Sequence, residues 1–170
     1  LFDAVCHSFS TIATGGFSTK QASIAYYQSP YIEYVISIFM ILSGVNFGNY
    51  YLAYQRKYYK IKENEELRYY LIVLFVFTVI VAFSLVDFSE IITAQSVEKA
   101  WRDALFTVSS LMSTTGMVTA DYMYRKPLTW IILITIMMTG ASAGSTSGGI
   151  KMIRVVISAK ACYYEFKRLI

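Results

Sequence analysis

Apolar and polar positions fall in long blocks along this chain. Residues 34–55 carry no formal charge over 22 positions, residues 69–86 none over 18, and residues 127–150 none over 24. Beyond Lys151 and Arg154 the apolar pattern resumes as far as Cys162. A helix needs about 20 residues to cross the hydrocarbon of a bilayer. The first two blocks therefore predict one membrane-spanning helix each. The third region, 127–170, is too long for one simple span and predicts an interrupted helix. Residues 69–83 are apolar on every face, as lipid on one side and protein on the other would select. The competing reading is a buried helix of a large soluble protein, but three such blocks are hard to house in the core of one short chain.

Charge between the blocks orients them. Arg56, Lys57, Lys60 and Lys62 lie together, with Arg68 just beyond. Glu63, Glu65 and Glu66 share this loop, but acids count little in the positive-inside rule. The loop 56–66 is expected in the cytoplasm, as is the C-terminal end with Lys160, Lys167 and Arg168. Residues 87–102 are then expected outside. Trp101, Trp130, Tyr122 and Tyr124 read as anchors at the membrane interface.

Composition strengthens this picture. Of 170 residues, 56% are hydrophobic and only 15% charged, against roughly 25% charged in a typical soluble domain. The net charge of +4 is spread between apolar blocks, which suits membrane orientation and not nucleic-acid binding. Two distant cysteines, Cys6 and Cys162, exclude a disulfide scaffold. The single histidine, His7, leaves no room for a multi-histidine metal site. No base-plus-nucleophile pair is present, so no enzymatic chemistry and no covalent cofactor are expected. The start at Leu1, with no Met-led basic segment, reads as the middle of a longer protein.

The most informative feature is a repeat at an offset of 100 residues. Residues 3–19 align with residues 103–119. Asp3, Ala4, Ser10, Thr14, Gly16 and Thr19 match Asp103, Ala104, Ser110, Thr114, Gly116 and Thr119. Pro30 and Pro127 follow the two copies, and Gly44 and Gly140 follow the prolines. Each unit predicts a short helix, a Thr/Gly-rich bend, then a long helix begun by proline. A helix of about 10 residues, near 103–112, cannot span a bilayer. It can dip in and end near the middle. Irregular backbone at that depth persists only when buried in protein or lining a water-filled cavity.

The bends Thr14-Gly15-Gly16-Phe17-Ser18 and Ser113-Thr114-Thr115-Gly116-Met117-Val118-Thr119 suit a path for a cation. Glycine permits angles that turn carbonyls toward a lumen. A short helix ending there adds partial negative charge. Carbonyl rings that replace a hydration shell build cation filters. Neither bend holds an acid, which argues against a carboxylate cage for calcium. The alternative is an ordinary loop between helices.

A second segment, Gly140-Ala141-Ser142-Ala143-Gly144-Ser145-Thr146-Ser147-Gly148-Gly149, interrupts the last apolar region. Four glycines and four Ser/Thr residues should loosen a helix there. The phosphate-loop spacing G-x-x-x-x-G-K-S/T is absent. Small-residue helix packing through Gly140 and Gly144 is one reading; a flexible constriction beneath a filter is the other. Lys151 and Arg154 follow one turn apart. They either snorkel to the cytoplasmic interface or face the pore or an acid. Asn46 and Asn49 either line a pore or bond across helices. Asp3 and Asp103 are expected near helix N-termini, and His7 as a bonded helix residue.

These three segments together resemble the membrane subunit of the Trk/Ktr/HKT potassium-transport superfamily, closest to the bacterial Trk type. The resemblance covers essentially the whole chain. It implies an all-α polytopic membrane protein, part of a four-repeat M1–pore helix–M2 fold with re-entrant pore loops. Residues 1–55 would be the pore helix, filter and M2 of the second repeat, and 56–66 a cytoplasmic loop. Residues 67–170 would be the third repeat: M1 at about 67–86, pore helix at about 101–112, filter 113–119 and a broken M2 at about 127–165. Gly16 and Gly116 would be the filter glycines. Potassium, the transported ion, would meet backbone carbonyls of Thr14, Gly15, Gly16, Thr114, Thr115 and Gly116, with Phe17 and Met117 completing the bends. Residues 140–149 would gate the pore from below. The resemblance also implies a homodimer in the bacterial cytoplasmic membrane and a cytoplasmic ring of nucleotide-binding regulatory subunits. Lacking the first and fourth repeats, the chain is not expected to conduct alone. From the residues themselves, a coupled carrier with a midplane site and a purely structural membrane subunit remain the alternatives.

Overall fold

A computed structural model describes residues 1–85, 93–119 and 127–169. The described residues form α1 (Phe2–Ile12), a 3-10 turn (Ser23–Tyr27), α2 (Pro30–Ser43), α3 (Phe47–Tyr54), α4 (Tyr58–Glu63), α5 (Glu65–Leu85), α6 (Ala94–Met112), α7 (Pro127–Met138) and α8 (Met152–Leu169). Residues 87–92 of the segment expected outside the membrane lie outside the described residues, as do the proposed anchors Tyr122 and Tyr124.

The helix α5 is 21 residues long and apolar on every face from Tyr69 onward, the length of a single span. Among the described residues it alone is long and apolar enough to cross a membrane unaided. Its inner face, Tyr70, Leu74 and Val81, packs with Ala104, Val108 and Met112 of α6 and with Leu133 and Ile136 of α7. Its other face leaves Leu71, Ile72, Phe75 and Phe83 exposed. A second cluster joins α2 to α6 through Met40, Phe106 and Met117, with Ile24 of the 3-10 turn. Thus α6 sits at the centre, between α2 on one side and α5 and α7 on the other.

Two expectations need correction. The block 34–55 is not one straight span. It breaks at Gly44, and α2 and α3 meet at 92°. Gly44 has Tyr70 of α5 and Ala141 packed where a Cβ would stand, so the chain turns where it can come closest. Asn46 then caps α3, its Oδ1 accepting from Gly48 N–H at 2.7 Å. Carbonyls at the break find hydroxyls: Tyr70 donates to Ile41 at 3.0 Å, and Tyr50 to Leu42, which also accepts from Val45 N–H, at 2.5 Å. Asn49 faces protein and accepts from Asn64 at 3.0 Å.

The second correction concerns the helix before the second bend. It starts at Ala94, well before residue 101, and runs 19 residues. Thr93 and Ser96 form a reciprocal cap at its start. Asp103 is therefore mid-helix, not near an N-terminus. The added turns are polar, and Glu98 on them pairs at 2.8 Å with Arg102, which also meets buried Glu33 of α2 at 2.6 Å. This ion pair ties the second unit to the first. At the opposite end of α5, Glu65 meets Lys160 of α8 at 2.7 Å, so the basic C-terminal helix lies beside the loop 56–66.

Candidate ion filter and gate loop

The sequence repeat is also a backbone repeat. At the end of α1, Thr14 N–H donates to Thr11 O and Gly15 N–H to Ser10 O, at 3.2 and 2.8 Å. At the end of α6, Thr114 N–H donates to Leu111 O and Thr115 N–H to Ser110 O, at 3.1 and 2.9 Å. Each is a Schellman helix stop. The left-handed position, usually glycine, is a threonine in both, with φ of 51° at Thr14 and 56° at Thr114. A glycine with positive φ follows two residues on, Gly16 at 72° and Gly116 at 81°. Left-handed backbone costs a residue with a Cβ roughly 1–2 kcal/mol, and β-branched residues are rare there. Holding threonine twice in that conformation points to a use for its side chain.

That use is visible. Thr14 Oγ1 lies 3.0 Å from the Thr146 carbonyl oxygen, besides 2.8 Å from that of Ala13. Thr114 Oγ1 accepts from Gly148 N–H at 2.6 Å. Thr146 Oγ1 in turn reaches the Ile12 carbonyl at 3.1 Å. Both bends are thereby bonded to the Gly/Ser segment, which lies directly against them.

The carbonyls of the bends divide into two groups. Met117 O accepts from Ser110 Oγ at 2.7 Å, and Val118 O from Ala25 N–H at 3.2 Å. Among the described residues, no donor reaches the carbonyls of Thr14, Gly15, Gly16, Phe17, Thr114, Thr115 or Gly116. Gly116 is exposed, and a Cβ there would meet nothing within 4 Å. Gly16 instead lies against the Thr115 carbonyl, so the two bends touch backbone to backbone. Thr115 and Met117 are buried, whereas Phe17 is 82% exposed. His7 braces the first bend: Nδ1 lies 2.6 Å from Asp3 O and Nε2 2.9 Å from Ser18 Oγ. Asp3, in the first turn of α1, accepts from Thr19 at 2.7 Å; this bond, aided by Lys20, holds its carboxyl below the usual range.

The Gly/Ser segment is a closed loop. Gly140 N–H donates to Ile150 O at 2.6 Å, and Ile150 N–H to Met138 O at 3.3 Å. Its ends thus meet, and α7 and α8 leave from one place. The loop docks on the α2–α3 break: Ser142 N–H donates to Gly44 O at 3.0 Å, and Phe47 N–H to Gly144 O at 3.1 Å. The two helix interruptions therefore hold each other. Lys151 turns back into the loop, its Nζ 2.6 Å from Ser147 O. Arg154 is exposed on α8. One contact has no signal in the sequence: Glu66 of α5 is buried, and its Oε1 accepts from Ala143 N–H at 2.5 Å.

The chain matches the TrkH family of cation transport proteins over residues 1–170. It is 37% identical to the Trk system potassium uptake protein TrkH of Escherichia coli K12, across 99% of this chain and 35% of that protein. It is 35% identical to the protein of the same name from Halomonas elongata, across 99% of this chain and 34% of the relative. Its structure superposes on the crystal structure of the potassium transporter TrkH from Vibrio parahaemolyticus with a TM-score of 0.89 at 31% identity, covering 99% of this chain and 36% of that one. The chain thus spans about a third of the length of the relatives it matches.

Proposed function

This chain belongs to the TrkH family of cation transport proteins, and on that premise we propose that it forms one side of a potassium-selective pore in the bacterial cytoplasmic membrane. The observation that supports this most is the set of bend carbonyls that no donor among the described residues reaches. Within a membrane an unpaired carbonyl is costly unless it faces water or an ion. Thr14, Gly15, Gly16, Thr114, Thr115 and Gly116 offer such oxygens in two matching bends. Potassium, the substrate, sheds part of its hydration shell to them. The C-terminal ends of α1 and α6 add partial negative charge at the same place.

In this reading the loop 140–149 is the gate. It is bonded to both bends, and its glycines give it a backbone that can rearrange. Lys151 steadies its closed form from within. The complete pore needs two further bends, which other repeats of the full-length protein supply. Dimerisation in the membrane and a nucleotide-binding regulatory ring on the cytoplasmic side complete the proposal, the ring facing the basic loop 56–64 and α8.

The mechanism predicts unitary currents. In planar bilayers the full-length protein is expected to show discrete potassium-preferring openings. Strictly saturable flux with fixed ion coupling and no unitary events would replace the pore with a carrier.

A further inference from the structure

We propose that Glu66 is the latch of the gate loop, a positioning residue that holds the loop closed from the cytoplasmic end of α5. This rests on the reading of the loop as a gate. Glu66 is 8% exposed and stands in the first turn of a membrane helix. A carboxylate is expensive in such a place unless it is hydrogen-bonded. Its Oε1 accepts from the Ala143 amide at 2.5 Å. Ala143 immediately precedes Gly144, whose φ of 75° makes the turn at the tip of the loop. On the other limb, Lys151 Nζ lies 2.6 Å from Ser147 O. An anion thus grips an N–H on one limb and a cation grips a carbonyl on the other, and charge-assisted bonds of this kind are about twice as strong as neutral ones.

The neighbouring residue gives the latch a handle. Glu65 is bonded to Lys160 of α8 at 2.7 Å. The first turn of α5 therefore holds both the loop and the helix that leaves it. A shift of α8 or of the loop 56–64 against α5 moves Glu65, and Glu66 one residue on moves with it. Release of the Ala143 amide frees one limb of the loop, and the loop's other limb bonds to the bends through Thr146 and Gly148.

The test measures potassium flux into liposomes for full-length Glu66→Ala and Glu66→Gln, with assembly checked by size in the same preparations. Losing one charge-assisted bond shifts a two-state loop toward its open form, so Glu66→Ala should raise basal flux about tenfold. Glutamine keeps a neutral acceptor and should raise it less, about threefold. A merely structural role would lower assembly and leave flux per assembled protein unchanged. Gly140→Ala displaces the loop by another route and serves as the control. Leak in Gly140→Ala with wild-type flux in both Glu66 variants overturns the latch and leaves the gate standing. No leak in any of the three overturns the gate and the latch with it. Should Glu66→Ala fail to assemble, Glu66→Gln decides: a partial leak supports the latch, and wild-type flux overturns it.

Discussion

Gly16→Ala is expected to reduce potassium flux by at least tenfold, roughly the effect of 1.4 kcal/mol or more on the conducting form. Two independent costs fall on this one methyl group. Gly16 has a φ of 72°, where a side chain costs about 1–2 kcal/mol. A Cβ there would also overlap the carbonyl oxygen of Thr115 and lie 3.1 Å from its carbon. That neighbour is backbone, held in a helix stop by its own N–H bond to Ser110, and cannot rotate away as a side chain would. The bends must separate or change conformation. Either change moves the carbonyls that form the proposed filter. Flux measured in liposomes, corrected for assembled protein, checks this, and wild-type flux would mean that the two bends do not meet in the working pore.

Gly140→Ala is expected to act in the opposite direction. Here φ is ordinary, and the obstacle is space. A Cβ would stand 2.5 Å from Gly148 O and 2.8 Å from Ile150 O. Gly140 N–H is also the donor that closes the loop onto Ile150 at 2.6 Å. Alanine should therefore pry open the neck of the loop at a cost of about 1–3 kcal/mol, typical of overpacking. If the closed loop blocks the path, prying it open should raise basal potassium flux about tenfold while leaving the preference for potassium over sodium intact. Reduced flux without leak would indicate that the loop supports the filter and does not obstruct it.

What the sequence revealed, it revealed through local chemistry. The bends were legible because two distant segments share Ser, Thr and Gly at the same spacing, and the same backbone stop recurs at both. The interruption of the last helix was legible because four glycines in ten residues loosen a helix there, whereas its closure on itself was not. The 92° break was hidden, since no charged residue interrupts residues 34–55 and the two helices together are apolar enough for one span. Only the cap residue Asn46, two positions on, marked it. The early start of α6 was missed because its first turns are polar and a span was not expected there. Glu66 and the threonine bonds to the loop had no local signature at all. Each joins residues at least 34 positions apart, and such pairings exist only once the helices pack.

On the proposed function, backbone carbonyls around Gly116 select the ion. Gly116 has a φ of 81° and open space where a Cβ would go, so serine there disturbs backbone angles without a clash. The decisive measurement compares potassium and sodium flux for the full-length wild type and Gly116→Ser, with assembly verified in the same preparations. Potassium preference in the wild type that is largely lost in a normally assembled variant is the predicted result. Normal assembly with unchanged preference would contradict the filter assignment.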